Sequence, residues 1–336
     1  MKKIKRLLSI LFASLLLFAV GCNNVGNNPE KETLTFVAPD GAPALAIAKF
    51  INDKESLGIN ADFNYSVVAS SDIGGIMQQG KADFMIMPVN AASKLYKANA
   101  SDPYKMLAVI THGNLYLMAS DGTNSLEGLK GKVVGVIGQG LVPDLTFKAV
   151  LSDNGLLADV VVGDTATDGK ITLRYFSQAV DMIPLLKQGK LNVGLLPEPA
   201  CTNLTKVASE KQWTRMDVQE LYNKNTKAYP QAVLMVKSSV YEKYELNLAY
   251  IESTFGVNVD WIKANPALAV EAINGVLKEG VTASLVANNI TSAVIDNCKI
   301  YYENSANAKQ SVIEYINKII AVNEMAAKPV MDDFFA

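Results

Sequence analysis

Apolar residues between positions 33 and 237 fall into short runs separated by amphipathic stretches. Residues 33–38, 62–68, 83–87 and 106–111 are apolar at every position or at every second one, which is strand patterning. Residues 44–52, 72–79 and 90–98 carry helical patterning between them. Pro39-Asp40-Gly41-Ala42-Pro43 is a turn whose last proline suits a first helical turn. Ser70, Ser71 and Asp72 are N-cap residues for the helix that follows them. The β-α-β-α-β order predicts an α/β lobe with a mainly parallel sheet flanked by helices.

The plan then repeats. Residues 115–120 form an apolar strand, 133–137 start a new unit, 144–151 are helical and 171–176 are strand. Asp72, Gln79, Gly80, Lys81 and Pro88 match Asp181, Gln188, Gly189, Lys190 and Pro197 at a constant offset of 109. Each copy reads as a short helix, a Gln-Gly-Lys turn, a buried strand and a proline at the strand's end. Earlier in the unit, Pro43 and Leu45 match Pro143 and Leu145 at an offset of 100. The change implies nine extra residues in the second copy, placed at 159–170. Two copies that far apart predict two similar lobes rather than a solenoid. Residues 231–236 are a strand that mirrors 115–120, and both are read as crossovers between lobes. Residues 241–324 read as mostly helical, with no strand sequence long enough to build a third sheet, and pack on lobe one. Lobe one is therefore 33–120 plus 231–336, and lobe two is the insertion 121–230.

The chain begins with a basic segment, Met1 to Arg6, and an apolar stretch, residues 7–20, too short for an ordinary spanning helix. Ala19-Val20-Gly21-Cys22 resembles the bacterial lipobox, with Ala19 in place of the usual leucine. Residues 1–21 are thus expected to be a lipoprotein signal peptide, Cys22 the lipidated residue and 22–32 a flexible polar leash. Removing the leader takes Lys2, Lys3, Lys5 and Arg6 away, leaving 27 of 31 basic residues against 33 acidic ones. An acidic mature chain argues against nucleic acid, which needs basic patches. Cys201 and Cys298 remain as thiols in different lobes.

The ordered set of lipobox, Val-Ala-Pro-Asp-Gly-Ala-Pro, Gly-Lys-Ala-Asp-Phe-Met-Ile-Met-Pro, Leu-Lys-Gly-Lys-Val-Val-Gly and Gly-Leu-Leu-Pro-Glu-Pro resembles a known family. It is similar to the substrate-binding lipoproteins of ABC importers in the nitrate, sulfonate and taurine group, whose wider relatives bind thiamine-precursor pyrimidines. The likeness covers 33–336. It implies a type II periplasmic-binding fold, a ligand cleft between two lobes, and hinge closure.

Strand carboxyl ends are where open α/β sheets hold ligands, which selects the candidate residues. Asp40, Gly41, Ala42 and Pro43 form a turn whose backbone N–H groups suit an anion, although the Asp40 carboxylate would repel one. Gly138-Gln139-Gly140-Leu141 is the matching turn, and Gln139, Gly140 and Leu141 are candidates there. Pro143 stands where a dinucleotide fingerprint needs its third glycine, so nucleotide binding is rejected. Asn90 and Glu198 follow the matching prolines, and Glu198 doubles as a helix N-terminal acid. His112, the one histidine, and Asn114 end the fourth strand beside the hinge. Ser70 and Ser71 are caps first and donors second. Tyr229 offers an aromatic wall.

The leading reading is a monomeric, lipid-anchored solute-binding protein on the extracytoplasmic face, handing a small organic solute to an ABC permease and ATPase. It needs no cofactor, no metal and no catalytic residue. The lack of a cysteine cluster, a nucleophile elbow and zinc-ligand spacing argues against an enzyme like the pyrimidine-synthesising relative. A surface sensor with a degenerate cleft is the other reading. Arg174 and Arg215 are the only arginines beyond the leader, which tilts the solute away from a doubly charged anion and toward a neutral or heterocyclic one.

Overall fold

A computed structural model describes residues 31–222 and 228–336. The expected signal peptide, Cys22 and most of the expected leash lie outside the described residues. The first unit runs β1 (Glu32–Pro39), α1 (Ala42–Leu45), α2 (Ala48–Asp53), β2 (Ala61–Val68), α3 (Ile73–Gln78), β3 (Phe84–Pro88), α4 (Val89–Leu95) and β4 (Tyr104–His112). After β5 (Leu115–Ala119), the second runs β6 (Lys132–Ile137), α5 (Val142–Asp153), β7 (Val160–Val162), β8 (Ile171–Phe176), α6 (Ala179–Gln188), β9 (Val193–Pro197), α7 (Ala200–Val207), β10 (Thr214–Asp217) and α8 (Val218–Tyr222). The return strand is β11 (Pro230–Lys237). It leads to α9 (Ser238–Tyr244), α10 (Leu248–Ala264), α11 (Pro266–Asn274), α12 (Ser292–Asn297), β12 (Ile300–Asn304) and α13 (Ser305–Val322).

These strands make two six-stranded sheets, ordered β12-β4-β11-β3-β1-β2 and β10-β5-β9-β6-β8-β7. The second is the first rebuilt: β8, β6, β9, β5 and β10 stand where β2, β1, β3, β11 and β4 stand. The extra edge strand β7 falls in the insertion expected at 159–170. Both sheets are mixed. β3 is parallel to β1 and antiparallel to β11, and β9 is parallel to β6 and antiparallel to β5. The antiparallel partner is in each case the strand arriving from the other lobe.

The Gln-Gly-Lys repeat has a backbone cause. Gly80 (φ 60°) and Gly189 (φ 71°) are left-handed residues that end α3 and α6. In both copies the glycine N–H bonds three residues back and the lysine N–H five back: Lys81 to Ile76 at 3.1 Å, and Lys190 to Leu185 at 3.0 Å. Pro88 and Pro197 lie opposite Ala232 and Leu115, at the start of each arriving strand.

Three expectations need correction. Residues 115–119, placed in lobe one, pair with β9 and β10 in the second sheet. The strand is apolar on both faces, so its composition did not reveal which sheet it joins. Residues 300–304, within a stretch read as mostly helical, form β12 on the edge of the first sheet, against β4. The helix expected at 44–52 is broken after Leu45 into α1 and α2. The second βα turn is also longer than the offset of 100 suggested. β1 is separated from α1 by Asp40 and Gly41 alone, whereas β6 is separated from α5 by residues 138–141.

Alternate residues of the first sheet feed different cores. Phe36, Phe84, Leu234 and Val236 face α2, α10 and α11, while Val37, Met85, Val233 and Met235 face α4 and α13. That is why these strands are apolar throughout. The second of these cores continues through α13 onto α5 and the second sheet, so apolar packing runs across the hinge. Gly113 sits at that hinge. A Cβ there would lie 2.4 Å from Tyr229 Cε1 and 2.7 Å from Gln219 Cγ. Gly113→Ala is expected to cost about 1–3 kcal/mol, the usual cost of overpacking, read as a lower urea midpoint at unchanged slope.

Candidate functional site

The chain crosses between sheets at 113–114 and at 228–229, and four of the candidate residues meet there. Gly113 N–H donates to Tyr229 O at 2.9 Å, and His112 pairs with Pro230. Glu198 N–H donates to Asn114 O at 3.0 Å, and Asn114 Nδ2 donates back to Glu198 O at 3.2 Å. His112, Asn114, Glu198 and Tyr229 therefore line one hinge, each 1% exposed.

Their side chains have distinct surroundings. The His112 ring stacks on Tyr301, centroids 3.6 Å apart, and its Nε2 lies 3.2 Å from Glu303. Glu198 lies just before α7, where it accepts from Thr202 N–H at 3.1 Å, close to the helix N-terminus. It is also ion-paired with Arg215 at 3.0 Å, and the Arg215 guanidinium lies 3.6 Å above the Tyr116 ring. Tyr229 stacks on Tyr315 of α13 and meets Tyr222 edge-on. It is an interior ring in the contact between lobes rather than a wall open to solvent.

The turns hold the remaining candidates. Asp40 spends its carboxylate on two backbone donors, Gly41 N–H and Ser284 N–H, both at 2.8 Å. The Gly41 N–H is thus already taken. Gly41 has φ 97° with nothing near its Cβ position, so glycine is required by conformation. Ala42 is buried and Pro43 partly so. In lobe two, Gly140 N–H donates to Asp144 at 2.8 Å, while Gln139 and Leu141 are exposed. Ser70 and Ser71 are exposed, and neither caps α3: Ser71 donates to Asp72 instead. No hydrogen bond among the described residues joins the Asp40 turn to the Gln139 turn.

Asn90 and Asn114 are the informative pair. They lie just past the carboxyl ends of β3 and β4 and are 4% and 1% exposed. Asn90 Nδ2 donates to Ala326 O at 3.0 Å. In each residue the amide nitrogen donates one bond, and the amide oxygen, Asn90 Oδ1 or Asn114 Oδ1, has no donor among the described residues. Gln231 Oε1 on the intervening strand β11 is in the same state. Buried amide oxygens ordinarily have partners. The two arginines are already engaged, Arg215 with Glu198 and Arg174 with Asp164 at 3.1 Å. Arg215, Gln231, Tyr315 and Ser284 were not among the sequence candidates. Only Arg215 carried a signal, as one of two arginines beyond residue 21.

Several bonds cross between the lobes. Thr146 Oγ1 and the Tyr315 hydroxyl are 2.7 Å apart, Asn289 Nδ2 donates to Asn203 Oδ1 at 3.0 Å, and Lys318 pairs with Asp153 at 2.6 Å. Cys201 and Cys298 are buried free thiols, one in each lobe. Burial pushes the Cys201 thiol well up, and the Glu198 carboxylate adds to the effect. The folded protein at pH 8 is expected to leave both thiols unlabelled by iodoacetamide over an hour and to expose both in 6 M urea. Among the described residues no group of three or more His, Cys, Asp or Glu side chains is arranged to hold a metal. No described helix is long and apolar enough to cross a membrane.

No family model and no curated protein sequence matches the chain. Solved structures do match it. An ABC transporter structure from Parabacteroides distasonis superposes with a TM-score of 0.71 at 20% identity, over 91% of this chain and 99% of that one. The periplasmic aliphatic sulphonate binding protein of Escherichia coli gives 0.63 at 12% identity, over 91% and 96%. The fold is the two-lobed periplasmic-binding fold. A ligand binding component of an ABC-type import system from Staphylococcus aureus shares it, with a TM-score of 0.60 at 10% identity over 91% and 97%. In the periplasmic-binding fold the hinge described above is the crossing between lobes, and Asn90 and Asn114 lie just past the ends of β3 and β4.

Proposed function

We propose that the protein is an extracytoplasmic solute-binding lipoprotein of an ABC importer. It is held to the membrane by lipid on Cys22 and delivers a small organic solute to its permease as a monomer. The two-lobed fold supports the class. The observation that carries the solute reading is the pair of donorless amide oxygens, Asn90 Oδ1 and Asn114 Oδ1, just past the ends of β3 and β4 with β11 between them. A solute closing between the lobes meets these oxygens with N–H groups, so it is a neutral or weakly cationic, nitrogen-bearing molecule such as a pyrimidine. Both arginines being engaged supports the same choice over sulfonates. Closure is driven by contacts that both lobes make only when shut, which is how such a protein trades an open for a closed population.

A thermal-shift panel tests the class of solute. Aminopyrimidines are expected to raise the melting temperature by several degrees and alkanesulfonates to leave it unchanged. Stabilisation by sulfonates alone would reverse the assignment. The anchor is tested separately: Cys22→Ser is expected to move the protein from the membrane fraction to the soluble one.

A further inference from the structure

A cavity of about 480 Å³ opens beside the hinge, between α8 of lobe two and β12 with the start of α13 of lobe one. None of the sequence candidates lines it. Its volume falls in the range of small-molecule sites. Its walls carry four carboxylates, Asp217, Glu220, Glu252 and Glu303, against one ammonium, Lys299. Asp217 caps α8 through Gln219 N–H at 2.8 Å, and Glu303 meets His112. Glu220 and Glu252 are exposed and have no ion-pair partner among the described residues.

Two further features bear on what would enter. Gln219, 7% exposed, lines the cavity and accepts from Leu115 N–H at 2.9 Å through Oε1, which fixes the orientation of its amide. Its Nε2 is a buried donor without an acceptor among the described residues. Tyr301 gives one ring face to His112 and is 45% exposed, leaving aromatic surface among the carboxylates. Carboxylates beside an aromatic face suit an organic ammonium. The carboxylates are too dispersed to form a metal-ligating group, as noted above for the described residues.

We infer that this cavity is a second binding site, for a small organic ammonium that also carries an oxygen acceptor for Gln219. It is separate from the cleft whose floor holds Asn90 and Asn114. Its walls come from both lobes, so its occupation depends on their spacing.

Calorimetric titration of the intact protein with acetylcholine, choline and ethanolamine tests this, with acetate as the anionic control. At least one of the three cations is expected to bind at 1:1, and acetate is not. Binding should weaken at least tenfold in the Glu220→Gln/Glu252→Gln double variant and also in 0.5 M salt. Both substitutions lie on exposed residues, and a matched urea midpoint shows that the fold is kept. Asn90→Leu should retain the ammonium binding. Absence of binding by all three cations overturns the inference, as does binding that the double variant leaves unchanged. Loss of ammonium binding in Asn90→Leu would instead place the cation in the cleft and also overturn it. Failure of the pyrimidine panel leaves these outcomes untouched, so the two readings are separable.

Discussion

Arg215→Met is expected to lower the unfolding free energy by about 3 kcal/mol, the lower end of what breaking a buried ion pair costs. The Glu198 side chain is fully buried, and Arg215 is the only cation paired with it among the described residues. Removing the guanidinium leaves a carboxylate inside the protein with Thr202 as its remaining side-chain partner. The α7 N-terminus and the Thr202 N–H soften the loss, and the one-third exposure of Arg215 limits it further. The same substitution removes the cation stacked on Tyr116. Urea unfolding followed by circular dichroism reads the effect. Glu198→Gln with Arg215 intact should cost clearly less, because Arg215 reaches solvent. Equal losses in the two variants would mean that the pair contributes little beyond packing.

The second large effect falls on binding. Asn90→Leu and Asn114→Leu each remove a buried acceptor that faces the proposed solute. A solute N–H enclosed without an acceptor costs about 1–3 kcal/mol, which is roughly a 5- to 150-fold loss of affinity. Asn114 also holds Glu198 O, so Asn114→Leu is expected to destabilise the hinge as well. Asn90→Leu is the cleaner probe, since its structural bond is to the C-terminal tail at Ala326. The expected pattern is weakened solute binding in both variants, with a smaller stability loss in Asn90→Leu.

Much of the architecture was legible because it rests on local rules used twice. The Gln-Gly-Lys copies mark helix ends that need a left-handed glycine, and the chain carries that requirement openly. The insertion at 159–170 was legible as a change of offset and holds an extra edge strand. What was not legible depends on distant pairing. Ile300 to Asn304 has a partly polar strand pattern, and β4, far away in sequence, decides its conformation. Residues 115–119 could have joined either sheet. The site was half legible for the same reason. Position after a strand-ending proline singled out Asn90 and Glu198 as ligand candidates, and the fold buries both. It could not reveal that Arg215 neutralises Glu198, that Ser284 occupies Asp40, or that Tyr315 covers Tyr229. Each of those partners comes from a different part of the chain.

Native mass spectrometry of freshly purified protein, compared with its denatured mass, tests the central claim most directly. The account predicts an added small-molecule mass that disappears on denaturation, belongs to a nitrogen-bearing solute, and is absent from Asn90→Leu. A retained sulfonate, or a protein that carries no added mass and is stabilised by no pyrimidine or other nitrogen-bearing solute, would contradict it.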